Sequence, residues 1–147
     1  MLDRTQPRGV LAGRDMDVWL WACREYNLFQ HQINKAYGII ENGILVGAAV
    51  FHNYNSINVE FSFYGQGQMT AGLVRYFTCI GLDTFHAERC TIHCRRSHKK
   101  LVRFLLKIGA KHEGTLWNFY GRDNKSRNAA CQFVLTRDVA ERLVRRR

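Results

Sequence analysis

The sequence predicts an α/β (α+β) protein with a central mixed β-sheet flanked by helices. The strongest strand signal is Asn58 to Tyr64, where apolar and polar residues alternate. A helix and a second strand, Arg89 to Arg95, follow it, so a crossover connection brings the two strands together in parallel. Upstream, Asn42-Gly43 lies between two apolar runs and predicts an antiparallel hairpin. The sheet therefore contains both antiparallel and parallel strands.

The N-terminal part contains one clear helix. After a possible edge strand near Val10, a helix is predicted from Asp15 or Asp17, either of which can cap it, to about Tyr26. Apolar residues at helical spacing predict one buried side, formed by Val18, Trp19, Ala22 and Tyr26.

The strands of the hairpin are Ala36 to Ile40 and Ile44 to His52. Apolar residues occupy both faces of the second strand. A further turn at Asn53 to Ser56 leads into the strand at Asn58, so three antiparallel strands precede the parallel crossover.

A glycine-containing turn and a helix follow this strand. The turn covers Gly65 to Gln68, and Thr70 is the predicted N-cap of a helix that runs to about His86. Unpaired N–H groups at such a helix N-terminus favour an anion, most often phosphate. A plain turn is the alternative interpretation of Gly65 and Gly67.

The C-terminal part alternates helices and strands. A short helix after Ser97 ends at Gly109, and a terminal helix starts at Arg137 or Asp138. Between them, Lys111 to Tyr120 and Ala129 to Thr136 are predicted strands, joined by a polar loop.

The length of 147 residues suits one domain, and we expect a single domain over residues 1–147. No apolar run reaches the length of a membrane span and no signal-peptide pattern opens the chain, so the cytoplasm is the expected compartment.

Basic residues outnumber acidic ones by 22 to 12, and the formal net charge is +10. This excess favours nucleic acid, or else an anionic cofactor together with an acidic substrate. Part of it forms a C-terminal run, whose plainer interpretation is a solvated tail: Arg142, Arg145, Arg146 and Arg147.

The five cysteines are scattered and odd in number, which suits reduced thiols. Cys90, His93 and Cys94 suggest a metal site at first sight. Residues four apart on a strand, however, are about 13 Å from each other, and His93 faces the opposite side. No metal site is predicted.

The segment from Ser97 to Thr115 carries a family resemblance. Its helix ends at Gly109 and leads into a strand with Glu113-Gly114. This resembles the closing segment of the GNAT superfamily of acyl-CoA-dependent N-acyltransferases, in which an Asn-led helix ends in Gly-Phe and is followed by Glu-Gly. The resemblance extends from about Tyr37 to Leu135. Short, divergent proteins of this kind are frequent in phage genomes, an origin that would fit this chain.

The resemblance implies a binding site for acetyl-CoA as co-substrate. The backbone of Phe61, Ser62 and Phe63 would pair with the pantetheine, and the phosphate turn would consist of Gln68, Met69, Thr70, Ala71 and Gly72. Ser97 and His98 begin the closing helix, and His98 aligns with the cofactor-contacting Asn of the family. The usual phosphate-loop pattern is not in register, and Leu105 stands where many members carry a tyrosine that protonates the thiolate.

The resemblance also implies catalytic residues. Glu60 lies on the strand where many GNAT proteins keep a glutamate that deprotonates the amine, and His52 is an alternative base. Tyr120 and Tyr64 are the candidate acids, each near a strand end. The plainer interpretation of Glu60 is an acid on the polar face of a half-exposed strand.

In GNAT proteins the helices that correspond to this N-terminal helix, together with their loop, line the entrance for the acceptor substrate. Trp21, Tyr26 and Phe29 are therefore candidates for substrate selection, with ordinary packing as the alternative.

The expected function is transfer of an acetyl group from acetyl-CoA to a primary amine. A protein lysine or N-terminus, a polyamine and an aminoglycoside all remain open as acceptors, and the charge of +10 favours an acidic protein. The alternative is a non-catalytic module that binds nucleic acid or protein through a basic helix stripe, formed by Lys99, Arg103 and Lys107. Both a monomer and a homodimer are compatible with the sequence.

Overall fold

A computed structural model describes residues 9–65, 70–123 and 125–145. The strands in these ranges are β1 (Val10–Leu11), β2 (Lys35–Glu41), β3 (Ile44–His52), β4 (Asn58–Tyr64), β5 (Arg89–Arg95), β6 (Lys111–Leu116) and β7 (Ala130–Thr136). The α-helices are α1 (Asp15–Tyr26), α2 (Ala71–Asp83), α3 (Lys99–Lys107) and α4 (Arg137–Arg145). The seven strands form one sheet in the order β1-β2-β3-β4-β5-β7-β6, which confirms the predicted mixed sheet.

The first four strands pair in an antiparallel manner. The turn between β2 and β3 has Asn42 at φ 51° and Gly43 at φ 75°, so both central residues are left-handed. That conformation matches the twist of the flanking strands, and it explains why Asn-Gly predicted the hairpin correctly.

The crossover from β4 through α2 to β5 is confirmed with the predicted strand bounds. The Thr70 hydroxyl accepts the Leu73 N–H at 3.2 Å, so Thr70 is the predicted N-cap. Strands β4 and β5 are parallel neighbours.

Three helices cover one face of the sheet. Apolar side chains of α2 pack on β2, β3 and β4, while those of α3 and α4 pack on β5 and β7. On the other face α1 packs over β2 and β3, with Trp19 fully buried. On this same face, the side chains of β4, β5 and β7 that α1 does not cover are mostly polar. They form the candidate functional region of the sheet.

Some predicted bounds are wrong at their ends. Helix α2 stops at Asp83 instead of His86, because His86 is left-handed (φ 51°) and the Ala87 N–H donates back to the Gly81 carbonyl at 3.2 Å. Strand β6 stops at Leu116 instead of Tyr120, because left-handed Asn118 (φ 59°) turns the chain.

The predicted cap of α1 is also wrong. Asp15 is the first helical residue, and the preceding residue makes no side-chain capping bond. The Asp15 carboxylate instead accepts the backbone N–H of Ala36 at 3.0 Å, which ties α1 to β2. Tyr26, predicted to be buried, is 37% exposed.

No helix in the described ranges is long and apolar enough to cross a membrane.

Candidate active site

The sheet opens between β4 and β5. Their pairing runs from Asn58–Arg89 to Phe61–Ile92 and then stops, although both strands continue. On its other side β4 stays paired with β3 as far as Tyr64, and β5 stays paired with β7 as far as Arg95. The two strands therefore diverge, and residues 62–64 and 93–95 face each other across a V-shaped opening.

The inner edges of this opening carry backbone groups with no strand partner among the described residues. Backbone N–H and C=O groups need partners, and an extended molecule with amide groups can supply them in the manner of an added strand. The predicted pantetheine positions Phe61, Ser62 and Phe63 lie where the pairing ends, so Ser62 and Phe63 line the opening.

Helix α2 begins shortly after the end of β4. Its first turn contains no acidic residue, and a Cβ atom added at Gly72 would meet only the Thr70 hydroxyl, at 3.9 Å. The N-terminal turn of α2 is thus open and free of negative charge, as an anion site requires. Of the predicted phosphate positions, Gln68 and Met69 lie outside the described residues.

Glu60 projects from β4 on the face that carries α1. Its carboxylate accepts the side-chain amide of Asn53 at 3.1 Å and lies 3.7 Å from Nδ1 of His52, directly across the strand pair. The Glu60 side chain is 26% exposed, so a molecule in the opening can reach a carboxylate that is still partly shielded from water.

His52 is buried and connects Glu60 to the opening. Its Nδ1 atom lies 3.3 Å from the Asn53 amide nitrogen, which can only donate, so Nδ1 accepts and Nε2 carries the proton. Nε2 then donates to the Ser62 hydroxyl at 2.9 Å. Burial lowers the pKa of His52, and the neighbouring Glu60 carboxylate only partly opposes this. Protonation of the ring would also cost the Asn53 bond.

Tyr64 is the last residue of β4 and stands beside the opening. Burial raises the pKa of its phenol, while a hydrogen bond with Ser62 acts in the opposite direction. Glu60, His52, Ser62 and Tyr64 therefore form one polar chain along the edge of β4.

Tyr120 reaches the site from the loop after β6. Its N–H donates to the Asn128 carbonyl at 2.9 Å, and the Arg95 guanidinium lies over its ring, 4.3 Å from the centroid. Burial raises the pKa of its phenol, and the Tyr64 phenol contributes in the same direction, as expected for two acids that share a region. The candidate acids thus come from the two sides of the opening.

Ser97 and His98 lie between the open end of β5 and the start of α3. His98 caps α3, since its Nδ1 accepts the Leu101 N–H at 3.2 Å, and Ser97 is exposed in the preceding turn. Phe29 is 95% exposed, so ordinary packing does not describe it, and its role in substrate selection stays a prediction. Tyr26 does lie beside the site, with its ring 5.6 Å from that of Tyr64.

Three residues at the site were missed from the sequence. The Ser62 side chain, His93 and Phe119 all belong to it, and the His93 and Phe119 rings lie 5.0 Å apart. The period of two along β4 and β5 places Ser62 on the same face as Glu60, so that signal could have found it. No sequence pattern places the loop residue Phe119 against a strand residue.

The cysteines of β5 take no part in the site. Cys90 and Cys94 face the three-helix side, and burial raises the pKa of each thiol to about 12. Within the described ranges no group of three His, Cys, Asp or Glu side chains could hold a metal ion.

The strand order, the parallel crossover and the opening define the fold of the GNAT-family acetyltransferases, as the resemblance implied. Among solved structures, the dodecameric spermidine N-acetyltransferase of Vibrio cholerae matches with a TM-score of 0.66 and 13% identity, over 88% of this chain and 93% of that one. The spermidine N-acetyltransferase of Vibrio cholerae in complex with CoA and spermine matches at 0.60 and 15%, over 73% and 68%. A GNAT-family acetyltransferase from Bacillus anthracis matches at 0.54 and 18%, over 70% and 66%. No family model and no curated protein matches the sequence, so the likeness is one of fold.

Proposed function

We propose that this protein is an acetyl-CoA-dependent N-acetyltransferase that acts on a primary amine. The observation that carries the proposal is the opening between β4 and β5, which has Glu60 on its floor and a tyrosine on each side. A solved neighbour of the same fold binds CoA and spermine, which supports the use of an acyl-CoA. We further propose that residues 1–147 act as one domain, as a monomer or a homodimer.

The opening suits the pantetheine of acetyl-CoA, and the N-terminus of α2 suits its pyrophosphate. The amide groups of pantetheine would pair with the backbone of Phe61, Ser62 and Phe63, where β4 loses its partner strand. The pyrophosphate would accept N–H groups from the turn before α2 and its first residues: Gln68, Met69, Thr70, Ala71 and Gly72. Ser97 and His98 would contact the cofactor from the start of α3, with only Nε2 of His98 free to do so because Nδ1 caps the helix.

Acetyl-CoA supplies an activated acyl thioester, and the residues of the chain manage the protons. Glu60 accepts a proton from the acceptor ammonium or amine, directly or through a water molecule. A phenol, Tyr64 or Tyr120, holds the proton that the departing sulfur needs. The raised pKa values of both phenols keep them protonated at neutral pH.

Thermal unfolding tests the cofactor site first. Acetyl-CoA and CoA should raise the unfolding midpoint of the purified protein, whereas ADP at equal concentration should raise it less, because a ligand bound only to the folded state stabilises it. The variant Glu60→Gln should keep this rise and lose turnover about 10²-fold or more. Glu88→Gln, which changes an exposed carboxylate that pairs with Arg137, is the matched control and should retain turnover. No rise with any CoA species would overturn the proposal.

A second candidate, a binding module, rests on a separate surface. The exposed side of α3 and strands β6 and β7 enclose a cavity of about 390 Å³ with an apolar floor and a basic rim. Its lining residues are Arg96, Lys99, Val102, Arg103, Leu106, His112, Cys131 and Phe133. The rim residues Arg96, Lys99 and Arg103 form no ion pair among the described residues. If this surface binds a nucleic-acid backbone, affinity should fall steeply with salt, with a log–log slope near the number of phosphate contacts. A flat salt dependence would exclude that role.

A further inference from the structure

Aromatic rings surround the opening on the α1 side. Tyr64 lies 5.6 Å from Tyr26 and 6.3 Å from Trp19, measured between ring centroids. Trp19 contacts His31 at 5.0 Å, and His31 contacts His52 at 5.4 Å. Trp19 and His52 are buried, so the rings of this series that a bound molecule can reach are those of Tyr26, His31 and Tyr64.

A second series of rings lies on the opposite side of the opening. His93 on β5 lies 5.0 Å from Phe119, and Phe119 lies 4.9 Å from Tyr120. Phe119 is 46% exposed, so much of its ring is available to a bound molecule. Rings therefore line both sides of the space above Glu60.

Negative charge is scarce in the same space. Strands β4, β5, β6 and β7 carry two carboxylates in total, Glu60 and Glu113. Glu113 is already satisfied, because it accepts two bonds from Arg89, at 2.6 and 3.2 Å, and one from Gln132 at 3.2 Å. Of the carboxylates on these four strands, Glu60 is therefore the one left for a cationic group, and Arg95 adds a positive charge close by.

We propose that the acceptor is a small monoamine carried on an aromatic body, and not a polyamine. One ammonium group meets one available carboxylate, and a flat ring fits between the two series of aromatic side chains, where offset or edge contacts favour it. A polyamine would find no second free carboxylate on these strands for its further ammonium groups, which would lie near Arg95 and within a protein of net charge +10. The inference rests on the proposed acetyltransferase function and narrows its substrate class.

The reaction balances with acetyl-CoA as the second reactant. The amine nitrogen forms a bond to the acetyl carbonyl carbon, and the bond between that carbon and sulfur breaks. One amine proton leaves to Glu60 and the sulfur receives one proton, so the products are the N-acetyl amine and CoA with a free thiol.

The test compares matched amines by release of the CoA thiol. With 2-phenylethylamine, n-butylamine and spermidine as acceptors, we expect kcat/KM to be about ten-fold or more higher for 2-phenylethylamine than for spermidine. Turnover that favours spermidine would overturn this inference and leave the acetyltransferase function standing. Absence of both turnover and stabilisation by acetyl-CoA would overturn the function, and this inference with it.

A variant separates ring recognition from general damage to the site. Phe119→Ala should raise KM for 2-phenylethylamine about ten-fold and change KM for n-butylamine less than about two-fold. Ile57→Ala removes a side chain of similar exposure (59%) at the opposite end of β4, and it should leave both values unchanged. Equal effects of Phe119→Ala on the two amines would contradict the proposal.

Discussion

Nε2 of His52 lies 2.9 Å from the Ser62 hydroxyl and joins two neighbouring strands on the open side of the sheet. His52 also stands across from Glu60, and Tyr64 follows Ser62 on the same face of β4, so the bond lies between a candidate base and a candidate acid. Polar side chains therefore extend from Glu60 to the opening.

Removing the Ser62 hydroxyl interrupts the polar series formed by the side chains of Glu60, His52, Ser62 and Tyr64. We expect Ser62→Ala to lower kcat about ten-fold and to leave stabilisation by acetyl-CoA unchanged, because the backbone of β4 remains in place. Ser62→Thr keeps a hydroxyl and is the matched control, which should restore most of the rate. Steady-state release of the CoA thiol measures the rates of both variants. Equal rates for Ser62→Ala and the wild type would show that the Ser62 hydroxyl takes no part in proton transfer.

The phenols of Tyr64 and Tyr120 should contribute unequally to kcat. Tyr64 connects to Ser62, whereas Tyr120 is held by Arg95 over its ring. We therefore expect Tyr64→Phe to lower kcat about ten- to a hundred-fold, and Tyr120→Phe to lower it less. Single-turnover rates at saturating acetyl-CoA measure the difference. A larger loss in Tyr120→Phe would assign the acid to the other side of the opening.

Gly109 has a backbone conformation that only glycine adopts easily. Its φ is +99°, and an added Cβ would lie 2.8 Å from a methyl carbon of Val139 in α4. Gly109→Ala should therefore lower the free energy of unfolding by about 1–3 kcal/mol. Gly114→Ala is the control, since an added Cβ there meets no atom within 4 Å, and urea unfolding compares the two. Similar losses in both variants would show that the conformation of Gly109 and its contact with Val139 are not the cause.

The sequence predicts the strands well where alternation and turn chemistry agree. Strands β4 and β5 have the predicted bounds, and the Asn42-Gly43 hairpin is confirmed, because local patterns determine both. The wrong ends of α2 and β6 occur at His86 and Asn118, two non-glycine residues in the left-handed region. Left-handed residues other than glycine leave little signal in a sequence.

The candidate site was predictable only in its strand residues. The face that holds Glu60 and Tyr64 follows from the period of two along β4. The approach of Phe119 to His93, and of Arg95 to Tyr120, depends on how a loop folds back over the sheet. Such contacts depend on tertiary packing between segments that are far apart in the chain, so no local sequence pattern predicts them.

Burial of His52 should make stability depend on pH. Its pKa is lowered from the ordinary value of 6.5, mainly by burial, so the unfolded chain binds the proton at a higher pH than the folded protein does. The stability that the neutral ring provides is thus present above about pH 6.5 and is lost as the pH falls through and below that value. Urea unfolding at pH 7, 6 and 5 should show a smaller loss of stability in His52→Gln than in the wild type.

Ser62→Ala serves as the comparison for this pH dependence, because it removes the partner of Nε2 and leaves the titrating ring of His52 in place. It should therefore keep a loss of stability toward pH 5 of the wild-type kind, whereas His52→Gln should not. If His52→Gln loses as much stability as the wild type over this range, the pKa of His52 does not differ between the folded and the unfolded chain, and the predicted effect of burial is wrong. A larger loss in His52→Gln than in the wild type would show that the folded protein raises the pKa of His52, as an ion pair with Glu60 would.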